Sequence, residues 1–236
     1  MALPFFYINE YTPLQKEIVL NEETSKHVVQ VLRMKVGEQL NLTDGKGSLL
    51  TCEIIDDHKK QCAVEVKETS FKEQGTRKVT IAISLLKNAN RFEWFLEKAT
   101  EIGVAEIFPL ICERTEKEKF RFDRMQGIII SAMLQSQQVW LPVLHEPVQF
   151  ENFVMNKLEN STKYIAHCMD EESKMQLHRQ ISKSSNQLIC IGPEGDFNEQ
   201  EIELALQTDF VPVSLGETRL RTETAAVVAA TLLVLN

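Results

Sequence analysis

Ile189-Cys-Ile-Gly192-Pro193-Glu194-Gly195-Asp196-Phe197-Asn198-Glu199-Gln200-Glu201 runs from an apolar strand through a glycine turn into a helix. The strand portion, Gln187-Leu-Ile-Cys-Ile-Gly192, is a near-continuous apolar run of the kind buried on both faces of a parallel sheet. Asn198 and Glu201, three residues apart, make a capping-box pattern that marks the helix start. The glycines let the backbone turn sharply and lie close to a ligand, to which its N–H groups can donate. The turn is neither G-x-G-x-x-G nor G-x-x-x-x-G-K-[ST], which disfavours a dinucleotide fold or a phosphate loop. Taken alone, it reads first as a plain strand-to-helix connection.

A second segment repeats the design about one strand–helix unit later. Val213-Ser-Leu-Gly216-Glu217-Thr218-Arg219-Leu220-Arg221-Thr222-Glu223-Thr224-Ala225 leaves a strand through a glycine and places two arginines before an apolar helix, Ala225 to Leu235. Thr222 is read as the N-cap, and Glu223 suits the positive helix terminus. The helix is apolar on nearly every face, so sheet, other elements or a partner subunit must cover it. Ligands of parallel α/β sheets sit in the crevice outside the carboxyl ends of the strands. Two such turns can line one pocket there.

Working outward, Val79-Thr-Ile-Ala-Ile-Ser-Leu-Leu is another buried strand. Asn90 to Ile102 is a helix with Phe92, Phe95, Leu96, Ala99 and Ile102 on one face, closed by Gly103. Val104 to Cys112, Tyr164 to Cys168 and Phe210 to Gly216 read as strands, and Arg124 to Gln138 as a helix. Alternating strands and helices imply an α/β domain with a mostly parallel sheet. Before it the pattern differs. Glu17 to Leu20, Gln39 to Thr43, Ser48 to Ile55 and Cys62 to Val66 are short strands, with a hairpin turn at Asp44-Gly45-Lys46-Gly47. A helix is expected over Asn21 to Arg33, capped by Thr24 or Ser25. Short strands with tight turns suggest a small barrel. The polar stretch Phe71 to Arg77 reads as the linker, giving domains 1–72 and 73–236.

The composition excludes several classes. Of 236 residues, 43% are hydrophobic and 25% charged, which is globular usage rather than disorder or coiled coil. Aromatics are 7%, too few for a large base-stacking platform. The net charge of −8 argues against gripping nucleic acid by bulk charge, though not against a local basic patch. Five cysteines (Cys52, Cys62, Cys112, Cys168, Cys190) form no C-x-x-C pair and read as small buried hydrophobes in a reducing cytoplasm. No histidine spacing suggests a metal site, no signal peptide is expected, and the longest apolar run is too short for a membrane span.

The two glycine segments resemble the RsmE family, the ribosomal RNA small-subunit uridine N3-methyltransferases of the SPOUT superfamily. The family pattern I-G-P-E-G-G-[FW] is matched by Ile191 to Phe197, with Asp196 in place of the last glycine. L-G-x-R-I-L-R-T-E-T-A is matched by Leu215 to Ala225, with Thr218 at the usual arginine and Arg219 at the following aliphatic position. His27 to Arg33, Asp44 to Gly47, Lys98 to Val104, Ile107 to Leu110, Glu113-Arg114 and Ala132 to Ser136 resemble further family segments, and Gln138 stands at a usually basic position.

The resemblance implies a PUA-like β-barrel that binds RNA, followed by a SPOUT-type α/β domain with a deep trefoil knot. It implies S-adenosylmethionine as methyl donor, a homodimer, and a uridine of small-subunit (16S) ribosomal RNA as target; the acidic net charge adds the expectation of weak binding to free RNA and dependence on an assembled particle. By resemblance the cofactor cradle is Leu85, His167, Gly192, Pro193, Glu194, Gly195, Leu215, Gly216, Leu220, Thr222 and Ala225. Arg221, then Arg219, is expected to stabilise charge on the base, with Glu194 or Glu223 as a base or merely a helix or arginine partner. RNA contact is expected from Arg33, Lys35, Lys87, Arg91, Arg114, Arg121 and Arg124, with Lys117 and Lys119 in the same charged stretch. Two rival readings stand beside this one: a knotted methyltransferase acting on another RNA base, and a non-catalytic RNA-binding module with the same fold.

Overall fold

The computed structural model describes residues 3–156, 161–169, 174–181 and 186–236; Met1 and Ala2, part of the amino-terminal reading above, lie outside them. The chain divides into two compact units, Met1–Gln74 with Met133–Leu141, and Gly75–Ala132 with Pro142–Asn236. A contiguous division at 72/73 assigns Met133–Leu141 to the second domain; in the structure that segment groups with the first unit.

The first unit contains β1 (Phe5–Tyr7), β2 (Glu17–Val19), α1 (Glu22–Lys26), β3 (Gln39–Thr43), β4 (Ser48–Asp56) and β5 (Ala63–Phe71). Its sheet runs β1-β3-β4-β5-β2, antiparallel except for the β1–β3 pair. Alternation decides most of its core: Leu40, Leu42, Leu50, Cys52 and Ile54 are fully buried while the residues between them are less so, and Thr43 at the end of β3 is buried as well. Irregularities at Thr51/Cys52 and Ile54/Asp56 bend β4 around that core, which gives a half-barrel. The expected helix from Asn21 is two pieces, α1 and a π-helical turn at His27–Val31. Its cap is Asn21, whose side chain accepts the Thr24 amide, rather than Thr24 or Ser25.

The Asp44–Gly47 turn packs against the returning segment. Gly47 N–H donates to Val139 O (2.9 Å) and Leu141 N–H to Gly45 O (2.8 Å). Gly45 and Gly47 have φ of 67° and 101°, and a Cβ on Gly47 would lie 2.7 Å from the Trp140 and Phe71 rings. Both backbone conformation and close approach therefore require glycine.

The second unit contains β6 (Val79–Ser84), α2 (Ala89–Ile102), β7 (Glu106–Ile111), α3 (Phe122–Gln135, whose last three residues group with the first unit), β8 (Val143–Leu144), β9 (Val148–Gln149), α4 (Phe150–Met155), β10 (Ser161–Ala166), β11 (Met175–Gln176), β12 (Asn186–Ile191), α5 (Glu199–Gln207), β13 (Val211–Ser214) and α6 (Thr222–Leu235). The sheet order is β11-β13-β10-β12-β6-β7-β8, with β9 also on β7, and every pairing is parallel. One face, through Ala82, Ile165, Leu188 and Cys190, packs on Phe150, Phe153, Phe197 and Ile202. The other carries α6, which packs on β6 and β12, with α2 packed against α6. Ala226, Ala229, Ala230 and Leu233 are the fully buried stripe of α6, whereas Val227, Val228, Thr231 and Leu232 stay half-buried. Gly103 closes α2 at φ 100°, and Arg77 Nη2 donates to the Leu233 and Val234 carbonyls at the end of α6 (2.8 and 3.3 Å).

Candidate active site

Four adjacent strands end together. In the parallel register Ile83 lies beside Ile191, Ile191 beside Ala166, and Ala166 beside Val213. Leu85, Gly192, His167 and Leu215 therefore follow the ends of β6, β12, β10 and β13 along one carboxyl edge. The two glycine turns are separated by a single strand, β10.

Two cavities open there. One, about 320 Å³, is lined by Gly192, Pro193, Glu194, Asp196, Arg221 and Thr222, with Ile191 in its floor. The other, about 430 Å³, is lined by His167, Lys174, Ser214, Leu215, Gly216, Glu217 and Thr218. Cys168, Arg219, Leu220 and Ala225 line both, so the two share a wall. These volumes fall within the usual range for small-ligand pockets, roughly 300–1,000 Å³.

Nine of the eleven residues expected in the cofactor cradle line one cavity or both; Leu85 and Gly195 line neither. Leu85 is buried and donates its amide to Leu110 O (2.9 Å). Gly195 lies under Arg114, whose Nη1 donates to Gly195 O (2.7 Å) and Phe197 O (3.4 Å). Glu194 Oε1 accepts the Lys87 amide (3.2 Å), joining the loop after β6 to the glycine turn. Ser214 Oγ donates to Gly216 O (2.8 Å) and accepts from its amide (3.3 Å), which fixes the second turn where Gly216 has φ 145°.

Both candidate arginines, Arg219 and Arg221, face this edge. Arg221 is the N-cap of α6, a place assigned to Thr222 by sequence; Thr222 is the first helical residue, and no side chain caps the helix. The open first turn leaves N–H donors beside the cavity that Arg221, Thr222 and Ala225 line. Glu223 is nearly buried and pairs with Arg91 (Oε1 to Nε, 3.6 Å), the arrangement of a structural ion pair between α6 and α2.

Residues missed by the sequence reading include Cys168, Lys174, Asp196 and Ser214. Cys168 corrects the expectation of five buried cysteines: the other four are buried and it is exposed. Burial, and then Asp196, push its thiol pKa up, opposed by Arg219 and Lys174. Asp196 had a visible signal, since it stands where the resembling pattern has glycine. Its φ is 64°, the left-handed region glycine favours and aspartate tolerates.

The residues expected to meet RNA are spread over both units. Arg33 and Arg121 are exposed. Lys35 pairs with Asp57 (3.2 Å), Lys87 with Glu116 (2.6 Å), Arg91 with Glu223, and Arg124 with both oxygens of Glu93. These partners reduce the positive charge available to a phosphate backbone.

Known proteins match this geometry along nearly the whole chain. The family described as RNA methyltransferase domain matches residues 72–234, and the RNA methyltransferase PUA domain matches residues 20–67. The chain belongs to the RsmE family of RNA methyltransferases. A solved structure, the probable rRNA-methyltransferase from Porphyromonas gingivalis, is 37% identical with a TM-score of 0.88, covering 97% of this chain and 95% of that one. The ribosomal RNA small subunit methyltransferase E from Neisseria gonorrhoeae, bound to S-adenosyl methionine, is 28% identical with a TM-score of 0.87 and the same coverage. The Rickettsia conorii ribosomal RNA small subunit methyltransferase E is 29% identical over 226 residues, 94% of this chain and 91% of its own. The half-barrel followed by a parallel α/β sheet is the PUA and SPOUT arrangement expected of an RsmE-family chain.

Proposed function

We propose that this protein transfers the methyl group of S-adenosylmethionine to N3 of a uridine in small-subunit (16S) ribosomal RNA. The observation that carries the reading is the convergence of the Gly192 and Gly216 turns on two cavities sharing Arg219 and Leu220 as a wall. The lining suits the donor. Ile191, Leu215, Leu220 and Ala225 offer aliphatic surface to an adenine ring, backbone amides of the glycine turns offer hydrogen bonds, and Glu194 and Asp196 favour a cationic ligand.

The bound donor supplies an electrophilic methyl on a sulfonium. The protein's part is alignment and charge. Holding the acceptor nitrogen in line with the methyl group contributes much of the rate. N3 of uridine carries a proton and becomes nucleophilic as that proton passes to solvent water, so negative charge grows on the uracil oxygens. Arg221, assisted by Arg219 and the uncapped first turn of α6, stabilises that charge. Glu223 holds Arg91, and Glu194 holds the loop after β6; both act through position rather than as proton acceptors.

The RNA is held by Arg33, Lys35, Lys87, Arg91, Arg114, Arg121 and Arg124, and the acidic body favours a folded particle over free RNA. The half-buried face of α6 suits a second copy of the chain, giving a homodimer. Reduced thiols fit a cytoplasmic enzyme; no described helix is long and apolar enough to cross a membrane.

Calorimetry with S-adenosylmethionine, followed by turnover on assembled small subunits, tests the reading. Binding with transfer is expected, and turnover on a short naked hairpin should be much slower. Binding without transfer would instead make the protein a non-catalytic RNA-binding module.

A further inference from the structure

Asp196 stands where the family pattern carries a glycine, and its side chain makes two bonds that a glycine has no atoms to make. Oδ2 accepts the Cys168 amide at 2.8 Å, and Oδ1 accepts the amide of its own neighbour Phe197 at 2.9 Å. The first bond crosses from the turn after β12 to the loop after β10. That loop is also gripped by a second charged side chain, because Lys174 Nζ donates to His167 O (3.0 Å) and Met169 O (2.7 Å). Cys168, the residue tied to Asp196, belongs to the wall shared by both cavities.

We infer that Asp196 is a positioning residue: it braces the Gly192–Phe197 turn against Cys168 and so fixes the shape of the donor cavity. The inference rests on the proposed use of this cavity for S-adenosylmethionine. Without the brace, the loop carrying Cys168 and the turn carrying Pro193 and Glu194 move independently, and the donor has to order them on binding. The backbone permits the substitution because short polar side chains accept the left-handed conformation that Asp196 adopts.

The test compares Asp196→Gly, which keeps the left-handed backbone and removes the brace, with Asp196→Asn, which keeps the backbone and one acceptor oxygen. Calorimetric affinity for S-adenosylmethionine and S-adenosylhomocysteine, steady-state parameters on small subunits, and thermal melting are measured for both. In Asp196→Gly, affinity for both ligands and the donor KM should worsen about tenfold, with kcat and the melting temperature nearly unchanged. Asp196→Asn should recover to within about threefold of the parent. Donor affinity within twofold of the parent in Asp196→Gly overturns the inference. So does a loss of activity that only follows a lowered melting temperature. Failure of the parent protein itself to bind S-adenosylmethionine would instead overturn the proposed function.

Discussion

Ile191 and Ala166 lie side by side as the last paired residues of adjacent parallel strands, β12 and β10. Val213 on β13 and Ile83 on β6 extend the row to either side. From this row the chain leaves the sheet four times, and the segments following β10, β12 and β13 line the two cavities. The site is thus a consequence of register: four apolar strands of matched end-point deliver four loops to one edge.

Arg221 should be separable from the fold. It is exposed, and as N-cap of α6 its side chain makes no capping bond. Arg221→Ala should change unfolding free energy by no more than about 0.5 kcal/mol. Turnover should fall by at least about 100-fold, the usual loss when one stabiliser of developing charge is removed. Denaturant melts beside single-turnover methyl transfer check both parts.

Gly192 is a packing requirement. A Cβ there would lie 3.0 Å from the Phe197 ring and 3.1 Å from its backbone nitrogen. Phe197 is 1% exposed and packs against Phe150 in the core. Gly192→Ala should cost about 1–3 kcal/mol of stability, the usual cost of overpacking, and should weaken donor binding as the turn shifts. Urea unfolding and calorimetry read the two effects.

The capping box holds more than the helix. Asn198 Oδ1 accepts the Glu201 amide (2.7 Å), Glu201 Oε2 accepts the Asn198 amide (2.8 Å), and Glu201 Oε1 accepts the Glu113 amide (2.9 Å). Asn198→Ala should cost about 1 kcal/mol. Glu201→Ala should cost more, because it strands two amides, one of them on the loop after β7. Equal unfolding midpoints for the two variants would contradict this ranking.

The capping box was legible because both of its residues are local. So were Gly103, the alternation of Leu40, Leu42, Leu50, Cys52 and Ile54, and the two glycine turns. Some of what sequence missed was a short local shift of a helix cap, and the rest was decided by distant partners. The N-cap of α6 moved from Thr222 to Arg221, the α1 cap moved to Asn21, and Met133–Leu141 joined the first unit through backbone bonds to Gly45 and Gly47. Asp196 was visible as an odd residue in a glycine pattern, but its bond to Cys168 spans 28 positions. The short strands β8, β9 and β11 have two residues each, too few for any period to show.

Thiol chemistry offers a report on the site. Burial pushes the Cys52 thiol up to about 12 and the Cys62 thiol to about 11, and raises those of Cys112 and Cys190 as well. Only exposed Cys168 should label in the native state, and its raised pKa means the rate should climb about tenfold per pH unit through neutrality, as thiolate grows. S-adenosylmethionine should slow the labelling, since Cys168 lines both cavities. Labelling that ignores the donor would place it elsewhere.

The most direct measurement of the central claim uses small subunits from cells lacking this gene. Purified protein and S-adenosylmethionine carrying a labelled methyl group are added, and the ribosomal RNA is digested to nucleosides and mapped by mass spectrometry. The account predicts one labelled 3-methyluridine per small subunit, absent with Arg221→Ala. Label on another base, or none while calorimetry shows the donor bound, would contradict it.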